Sequence, residues 1–327
     1  MFKKILNPIL YHGEKKKKNF FEGWYYKIID RDGKHSFAFI PGIIMGKINE
    51  TGHSFIQVMD GSNVKADYLK FSKGQFKHNH DPFMIIINNS YFSLTEINLN
   101  HYDNNIHIFG SIKIVDVVKW PDSLINPGSM GFYNYLLFME CYSHVCCLDG
   151  GIVGELMINR HKYDFTGGKI YIEKNWGKRF PENYLWLQAN NFLDKSVALT
   201  VSLGRVPLGS FHFNGFLAAF LWKNNVYKFT TINRSKIELC NNHNKIKLSF
   251  KKDNYLLNVE AFYKNDEFIK ILAPQNGDMV RTVKESITSC IRVEFMDTKK
   301  EMMLFQGVSN NAGVEIVGNL VKEKKSL

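Results

Sequence analysis

The chain has 327 residues, of which 45% are hydrophobic and 14% aromatic, and its formal net charge is +11. This composition excludes a disordered protein, and the length suits one large or two ordinary domains. The apolar run at residues 215–222 is far shorter than the roughly 20 residues that a transmembrane helix needs, so it is not expected to cross a bilayer.

Much of the positive charge lies in short lysine runs. These runs occupy residues 3–4, 15–18, 251–252, 299–300 and 322–325. Runs of like charge are usually solvated turns or tails, and contact with an anionic membrane surface is the alternative interpretation. The sequence contains no zinc-finger spacing, RNP-like aromatic strand or Walker glycine loop, so no nucleic-acid partner is predicted.

The five cysteines are odd in number, and Cys146 and Cys147 are adjacent. No secretory apolar segment begins the chain, so we expect reduced thiols in a cytoplasmic protein, with peripheral membrane contact as the alternative location. Cys141, His144 and Cys146 match no standard zinc spacing, and neither a metal site nor a cofactor is predicted.

The prevailing hydrophobic period along the chain is two, which indicates β-strands rich in β-branched and aromatic residues. The clearest examples are residues 37–40, 55–59, 106–115 and 227–232. Turn signals separate the strands at residues 31–34, 60–61, 223–226, 276–277 and 310–313. Many short strands with tight turns favour an all-β chain of two tandem antiparallel barrel or sandwich domains, which we place at residues 1–166 and 167–327.

Acidic residues among aromatic ones are the principal candidates for chemistry, because no nucleophile or dinucleotide-binding motif occurs. Glu22 precedes Trp24 and Tyr25, and Glu173 lies near Trp176. A carboxyl group in an apolar pocket has a raised pKa and can act as a general acid, while aromatic faces stabilise carbocations. Glu140, His144 and Glu315 are further candidates.

The segment 173–192 is the densest mixture of these residue types. It combines Asn175, Trp176, Trp186, Gln188 and Asn190, which suits the wall of a mostly apolar pocket with a few directed polar groups. Structural roles stay open: Glu22 could pair with a lysine at a barrel rim, the tryptophans could fill space, and the amides could bond strand ends.

Several of these segments resemble the tocopherol cyclase family. Glu173-Lys-Asn-Trp-Gly, Phe180-Pro and Trp186-Leu-Gln-Ala-Asn190 carry its signature, and Phe20-Phe-Glu-Gly-Trp-Tyr-Tyr-Lys27 resembles its opening strand. Ordered matches extend over roughly residues 8 to 320. The resemblance implies two lipocalin-like halves and cyclisation of a prenylated quinol to a chromanol, by alkene protonation and attack of the phenol oxygen on the tertiary cation.

The resulting hypothesis is a cyclase or isomerase acting on an isoprenoid lipid. Glu173 or Glu22 is the expected proton donor, with Glu140 and His144 as second candidates. The expected substrate-binding residues are Trp24, Tyr25, Asn175, Trp176, Trp186, Gln188, Asn190 and Glu315. A non-catalytic carrier of hydrophobic ligands is the alternative, since lipocalin-like barrels also bind ligands without chemistry.

Overall fold

The computed structural model describes residues 2–136, 138–208, 211–242 and 244–319. These residues are mainly antiparallel β-strands in two large sheets, so the predicted all-β class is confirmed. The chain divides into two compact units, Met1–Phe180 with Lys270–Val283, and Pro181–Ile269 with Lys284–Leu327.

A 12-stranded sheet forms the first unit. Its strands are β1 (Phe21–Ile29), β2 (Ser36–Ile44), β3 (His53–Asp60), β4 (Lys65–Phe71), β5 (Phe76–His80), β6 (Phe83–Ile87), β7 (Ser90–Ser93), β8 (Glu96–Tyr102), β9 (His107–Val118), β10 (Cys141–Ile158), β11 (His161–Asp164) and β12 (Gly168–Gly177). They follow the order β4-β3-β2-β1-β12-β10-β9-β8-β7-β6-β5, with β11 paired to β10. The late strand β12 therefore lies between β1 and β10.

The first sheet curls, so that side chains of β1 meet those of β5, β6 and β7. The ring of Trp24 lies 6.4 Å from that of Phe76 and 6.1 Å from that of Phe83, and Tyr26 lies 5.4 Å from Phe92. Aromatic residues are favoured on such pleated surfaces because they bury large apolar areas.

Glycines permit a close approach of backbones between β9 and β10. Gly110 and Gly154 have φ values of +134° and +138°. A Cβ atom on Gly110 would lie 2.3 Å from the carbonyl oxygen of Glu155, and one on Gly154 would lie 2.2 Å from that of Ser111. Glycine at these two positions lets the long strands bend without a steric clash.

The second sheet has ten strands in the order β16-β15-β14-β13-β22-β21-β19-β18-β17, with β20 paired to β21. Its strands are β13 (Tyr184–Ala189), β14 (Ala198–Leu208), β15 (Phe211–Trp222), β16 (Asn225–Thr230), β17 (Lys236–Asn242), β18 (Lys245–Lys252), β19 (Tyr255–Phe262), β20 (Ile269–Gln275), β21 (Asp278–Asp297) and β22 (Met302–Val317). The core of the second unit includes Leu185, Leu187 and Ala189, which alternate along β13.

The helical elements are short and lie between strands or before them. They are the α-helix α1 (Phe2–Leu6) and the 3-10 turns Gly13–Lys15, Asn49–Thr51, Lys73–Gln75, Gly131–Tyr135, Thr231–Asn233 and Asn265–Glu267. Among the described residues, no helix has the length and apolar character needed to cross a bilayer.

The boundary expected after residue 166 falls immediately before β12. Because β12 is hydrogen-bonded to both β1 and β10, residues 168–177 belong to the first unit, which continues to Phe180. Lys270–Val283 also belongs to this unit; for example, the backbone N–H of Leu272 donates to the side-chain oxygen of Gln57 at 2.9 Å. The sequence break at Gly167-Gly168 is thus a turn within the first unit.

The lysine runs at residues 15–18 and 299–300 are exposed. Exposure is required both of a solvated turn and of a surface that contacts an anionic membrane. The run at residues 322–325 lies outside the described residues. Contact with an anionic membrane stays a prediction.

Replacing Phe92 with Ala is expected to destabilise the first unit by about 3–5 kcal/mol, because it leaves a cavity in a well-packed core. Phe92 is fully buried against Tyr26. Phe109→Ala is the matched control, since that ring is 40% exposed in the same sheet. Urea unfolding of both variants checks this, and equal losses of stability would contradict the packing described.

Candidate functional site

Strands β1, β12 and β10 place the predicted site residues on two opposite faces of the first sheet. Lys174 is paired in register with Trp24, and its neighbour Glu173 with Tyr25. Since side chains alternate along a strand, the two sets point in opposite directions. The Lys174 face carries Glu22, Trp24, His144, Lys174 and Trp176, and the Glu173 face carries Tyr25, Glu173 and Asn175.

A fully buried ion pair occupies the centre of the Lys174 face. Nζ of Lys174 lies 2.5 Å from Oε1 of Glu22, and both side chains have no solvent exposure. The backbone N–H of His12 donates to both carboxylate oxygens of Glu22 at 2.9 Å. Nδ1 of His12 lies 2.8 Å from Nζ of Lys174. These contacts offset part of the large desolvation penalty of burying two charges.

Residues 8–14, here called the N-terminal segment, supply the other polar partners of this face. Nζ of Lys174 donates to the carbonyl oxygens of Pro8 at 2.7 Å and Leu10 at 2.6 Å. Nε1 of Trp24 donates to the carbonyl oxygen of Ile9 at 2.9 Å. Because main-chain carbonyls complete the ammonium group's hydrogen bonds, the segment is part of the fold and not a free tail.

Glu22 is ionised in this environment. Burial by itself would raise the pKa of its carboxyl group, but the charge of Lys174 and the hydrogen bond with His12 outweigh it and lower that pKa. Burial lowers the pKa of Lys174 to about 8, with Glu22 opposing the shift. The expected raised pKa at Glu22 is therefore not found, and the carboxylate pairs with a lysine in the interior and not at a rim.

Aromatic rings enclose the lysine. Its Nζ lies 4.5 Å from the ring centroid of Trp176 and 5.1 Å from that of Trp24, within the range of cation–π attraction. Trp176 also stacks on His12 at 4.5 Å and on Tyr142 at 5.2 Å. Trp24 and Trp176 thus contact a resident cation on the face opposite to Glu173.

His144 is a neutral, buried imidazole beside this cluster. Burial, with a smaller contribution from Lys174, lowers its pKa to about 3. The backbone N–H of Ser129 donates to Nδ1 of His144 at 3.3 Å, which places the ring proton on Nε2. A neutral imidazole can donate a hydrogen bond from Nε2 at pH 7, but it is not a strong acid.

On the opposite face, three side chains converge on the carboxyl group of Glu173. The Ser143 hydroxyl donates to Oε1 at 2.8 Å, the Asn175 amide donates to Oε1 at 3.1 Å, and the Tyr171 hydroxyl donates to Oε2 at 2.6 Å. Glu173 is only 4% exposed. The Tyr25 and Tyr171 rings lie 6.5 Å apart, edge to face. This face therefore holds one oriented carboxyl group beside two phenol rings.

The predicted residues Trp186, Gln188, Asn190 and Glu315 lie in the second unit. Trp186, Gln188 and Glu315 are on the face of β13 and β22 opposite to the apolar core, and Asn190 directly follows β13. Trp186 is paired in register with Glu315. The Tyr184 hydroxyl donates to Oε1 of Glu315 at 2.5 Å, and the Gln188 amide donates to Oδ1 of Asn190 at 3.1 Å. All five residues are buried. Their shared face is polar, in contrast to the leucine-lined side of β13.

Glu140 has a structural partner at the start of β10. Nε and Nη2 of Arg179 donate to its two carboxylate oxygens at 3.0 and 3.1 Å. Both side chains are 33% exposed. This bidentate ion pair ties Glu140 to the chain that leaves β12, and a catalytic role for Glu140 stays a prediction.

Sequence reasoning missed the groups that complete both clusters, namely Lys174, His12, Tyr171 and Ser143. A signal for Lys174 was present: residues 170–172, directly before Glu173 and Lys174 in β12, have apolar or aromatic side chains on both alternating faces. A strand with this pattern is buried on both faces. A lysine within it therefore needs buried hydrogen-bond or ion-pair partners, because an unpaired buried charge is costly. His12 could not be found in this way because it lies outside any strand.

One group of metal-ligating side chains lies apart from these clusters. Glu14, His78 and His80 each offer a ligand atom, and these atoms all lie within 4.8 Å of one another. Glu14 lies 64 residues before His78 in the sequence, so no local spacing predicts this group.

Lys174→Met is expected to destabilise the protein by about 3–5 kcal/mol, because it leaves the buried Glu22 carboxylate without its cation. The double variant E22Q/K174M removes both charges and is expected to be less destabilised than the sum of the two single variants. Urea unfolding of all four proteins checks this. Strict additivity would show that the pair is not energetically coupled.

His144 is expected to contribute to acid sensitivity. Its folded-state pKa of about 3 lies below the ordinary value of 6.5. The unfolded state therefore binds more protons between these values, and stability is lost as pH falls from 6.5 towards 3, by up to about 1.4 kcal/mol per pH unit. His144→Asn retains an acceptor for Ser129, and its stability should fall less steeply with pH. Parallel curves would contradict this assignment.

The chain is similar in sequence to a family profile and to two plant proteins. The sequence profile of the tocopherol cyclase-like family matches residues 93–318. A protein of Oryza sativa subsp. japonica described as a probable chloroplastic tocopherol cyclase is 25% identical over 189 residues, which cover 55% of this chain and 40% of that protein. A chloroplastic tocopherol cyclase of Zea mays is 23% identical with the same coverage. The chain thus spans well under half the length of these relatives.

Solved structures show the same fold at low identity. CghA with Sch210972 has a TM-score of 0.53 at 9% identity, covering 91% of this chain and 89% of that chain. Kievitone hydratase from Nectria haematococca has a TM-score of 0.50 at 10% identity, covering 95% and 94%. The prediction of two lipocalin-like antiparallel domains is confirmed. Since the family profile matches more than half of its residues, the chain belongs to the tocopherol cyclase-like family.

Proposed function

We propose that this protein catalyses proton-initiated cyclisation of a prenylated quinol, or of a related isoprenoid lipid, with Glu173 as the proton donor. Membership of the tocopherol cyclase-like family and the names of the two plant relatives support this reaction class. Glu173 lies within the matched residues 93–318, whereas Glu22 lies before them.

The observation that carries the proposal is the convergence of Tyr171, Ser143 and Asn175 on the buried carboxyl group of Glu173. An acid that protonates an alkene must be held in one orientation, because proton transfer to carbon requires close alignment. Glu22 is less suited to this role, since it is ionised and bound to Lys174.

The proposed reaction balances without any other reactant. The carboxyl proton passes to the less substituted carbon of the prenyl alkene, and the π electrons form the new C–H bond. The phenol oxygen then bonds to the tertiary cation, and its proton returns to the Glu173 carboxylate. Substrate and product are isomers, so the step requires neither an oxidant nor a reductant.

The two phenol rings on the Glu173 face are the proposed shield for the cation. Tyr25 and Tyr171 lie on the same face as the acid, and an aromatic face stabilises a nearby positive charge by about 0.5–2 kcal/mol. Trp24 and Trp176 occupy the other face, so their proposed role becomes support of Lys174.

Polar substrate-binding groups are proposed within each unit separately. Asn175 holds Glu173 in place. In the second unit, Trp186, Gln188, Asn190 and Glu315 form a buried polar face with mutually hydrogen-bonded members. These residues remain the proposed contacts for a quinol head group, whose hydroxyls need donors and acceptors that fix their direction.

Glu173→Gln is expected to lower turnover by about 10²–10⁴-fold, the usual contribution of a general acid. The assay incubates the purified protein with a prenylated hydroquinone in D₂O and follows chromanol formation by chromatography and mass spectrometry. One solvent deuterium should appear on the carbon next to the new C–O carbon. Gln keeps the size of the side chain; its amide oxygen can still accept from Ser143 and Asn175, and its amide nitrogen can donate to a rotated Tyr171 hydroxyl, so the fold is expected to persist.

Glu140→Gln is the matched control, because it removes a carboxylate that pairs with Arg179 and lies outside the Glu173 cluster. It should leave turnover unchanged. Unchanged turnover in E173Q would remove Glu173 from the mechanism. Tight binding of the prenylated hydroquinone without any change of connectivity in the wild type would instead establish the carrier alternative.

A further inference from the structure

The side chains of Glu14, His78 and His80 converge at the end of the N-terminal segment. Nε2 of His80 lies 3.0 Å from Oε1 of Glu14, and Nε2 of His78 lies 3.8 Å from the same oxygen. One ligand atom from each residue lies within 4.8 Å of the others. Two imidazoles thus face a single carboxylate oxygen.

Local structure holds these residues in place. His78 and His80 are two positions apart on β5, so both imidazoles project from the same face of the strand. Their rings lie 5.0 Å apart. Glu14 is the last residue of the N-terminal segment and sits in the 3-10 turn Gly13–Lys15. The ring of Tyr11 packs against His78 at 4.7 Å, which limits motion of that imidazole.

Two ring nitrogens in this group lack hydrogen-bond partners among the described residues. Nδ1 of His78 and Nε2 of His80 are both shielded from solvent and make no hydrogen bond with a described residue. Of these two atoms, Nε2 of His80 is the one that faces Glu14. The His80 nitrogen is close to the Glu14 oxygen but does not make an aligned hydrogen bond with it. Buried polar atoms normally find partners, and the binding of an ion is one accepted reason for an exception.

The donor set suits a divalent transition metal of the zinc type. Two histidines and one carboxylate are a known three-ligand set for zinc, with a fourth position left for water. Ligand atoms about 2.0–2.1 Å from a tetrahedral ion lie about 3.3 Å apart, so the observed 3.0 and 3.8 Å need only small side-chain adjustments. Lys4 contacts the other oxygen, Oε2 of Glu14, at 2.8 Å. Oε1 therefore remains the oxygen directed at the two imidazoles.

We propose that Glu14, His78 and His80 form a binding site for one Zn²⁺ ion or a similar divalent transition metal. The ion joins the N-terminal segment to β5, at the edge of the first sheet. The same segment donates and accepts the hydrogen bonds that satisfy Glu22 and Lys174. Metal binding at Glu14 thus secures the far end of the segment that completes the buried ion pair.

The test is titration of the purified full chain with Zn²⁺ in competition with a chromophoric chelator. The wild type should bind one ion. The variants E14Q and H78A/H80A should bind at least about tenfold more weakly, a loss seen even for changes to outer-shell partners of metal sites. His101→Ala is the matched control, because His101 forms a single histidine–carboxylate pair with Asp103 at 3.1 Å. It should bind zinc as the wild type does.

The exposed thiol of Cys240 is an independent source of zinc binding, so the titration is repeated in a C240S background. Glu14 is an exposed residue, and E14Q is therefore expected to fold even if H78A/H80A does not; circular dichroism checks each variant. A 1:1 site lost in E14Q and kept in H101A and C240S supports the proposal. Absence of a 1:1 site, or equal affinity in E14Q and the wild type, overturns it.

Discussion

Neighbouring residues of β12 must point to opposite faces of the first sheet, and in this protein both faces are buried. Glu173 and Lys174 are adjacent in sequence, yet each belongs to a separate polar cluster. The strand lies between β1 and β10, and the side chains of Glu173 and Lys174 are 4% and 0% exposed. Each charged or polar group must therefore be satisfied by groups that the neighbouring strands and segments bring to its own face.

On the Lys174 face this requirement recruits a segment from outside the sheet. The carbonyl groups of Pro8 and Leu10 accept from the ammonium group, and the backbone N–H of His12 donates to Glu22. A buried ion pair gives little net stability by itself because of its desolvation penalty. Its effect here is specific: it fixes where residues 8–12 lie. The proposed metal site extends the same logic to Glu14, two residues further along the chain.

The two leading acids differ in their surroundings, and that difference guides the proposed chemistry. Glu22 meets a lysine and is held as an anion. Glu173 is met by a phenol, a hydroxyl and an amide. Two chemically identical side chains thus have different neighbours, a cation at Glu22 and neutral hydrogen-bond donors at Glu173. The solved structures share the fold at low sequence identity, and a shared fold does not determine a reaction. Support for the proposed reaction comes from these residues and from the family.

The sequence by itself determined the all-β class and the two antiparallel units, because alternation and turn residues are local properties that a strand carries with it. It also identified the segment 173–192 as unusual, since polar and aromatic residues are dense there. The sequence alone did not show on which face of the sheet Glu22, Trp24 and Trp176 lie. The register of β1 against β12 shows that they occupy the face opposite to Glu173.

Only the tertiary structure decided the partners of each charge. Lys174 and Glu22 are far apart in sequence, as are Glu14 and the two histidines of β5, and no local pattern predicts which distant residues meet. The extent of the first unit was hidden for the same reason, because the pairing of β12 with β1 is a long-range contact. Strand alternation fixes the direction of a side chain, whereas the folding of the whole sheet fixes what that side chain meets.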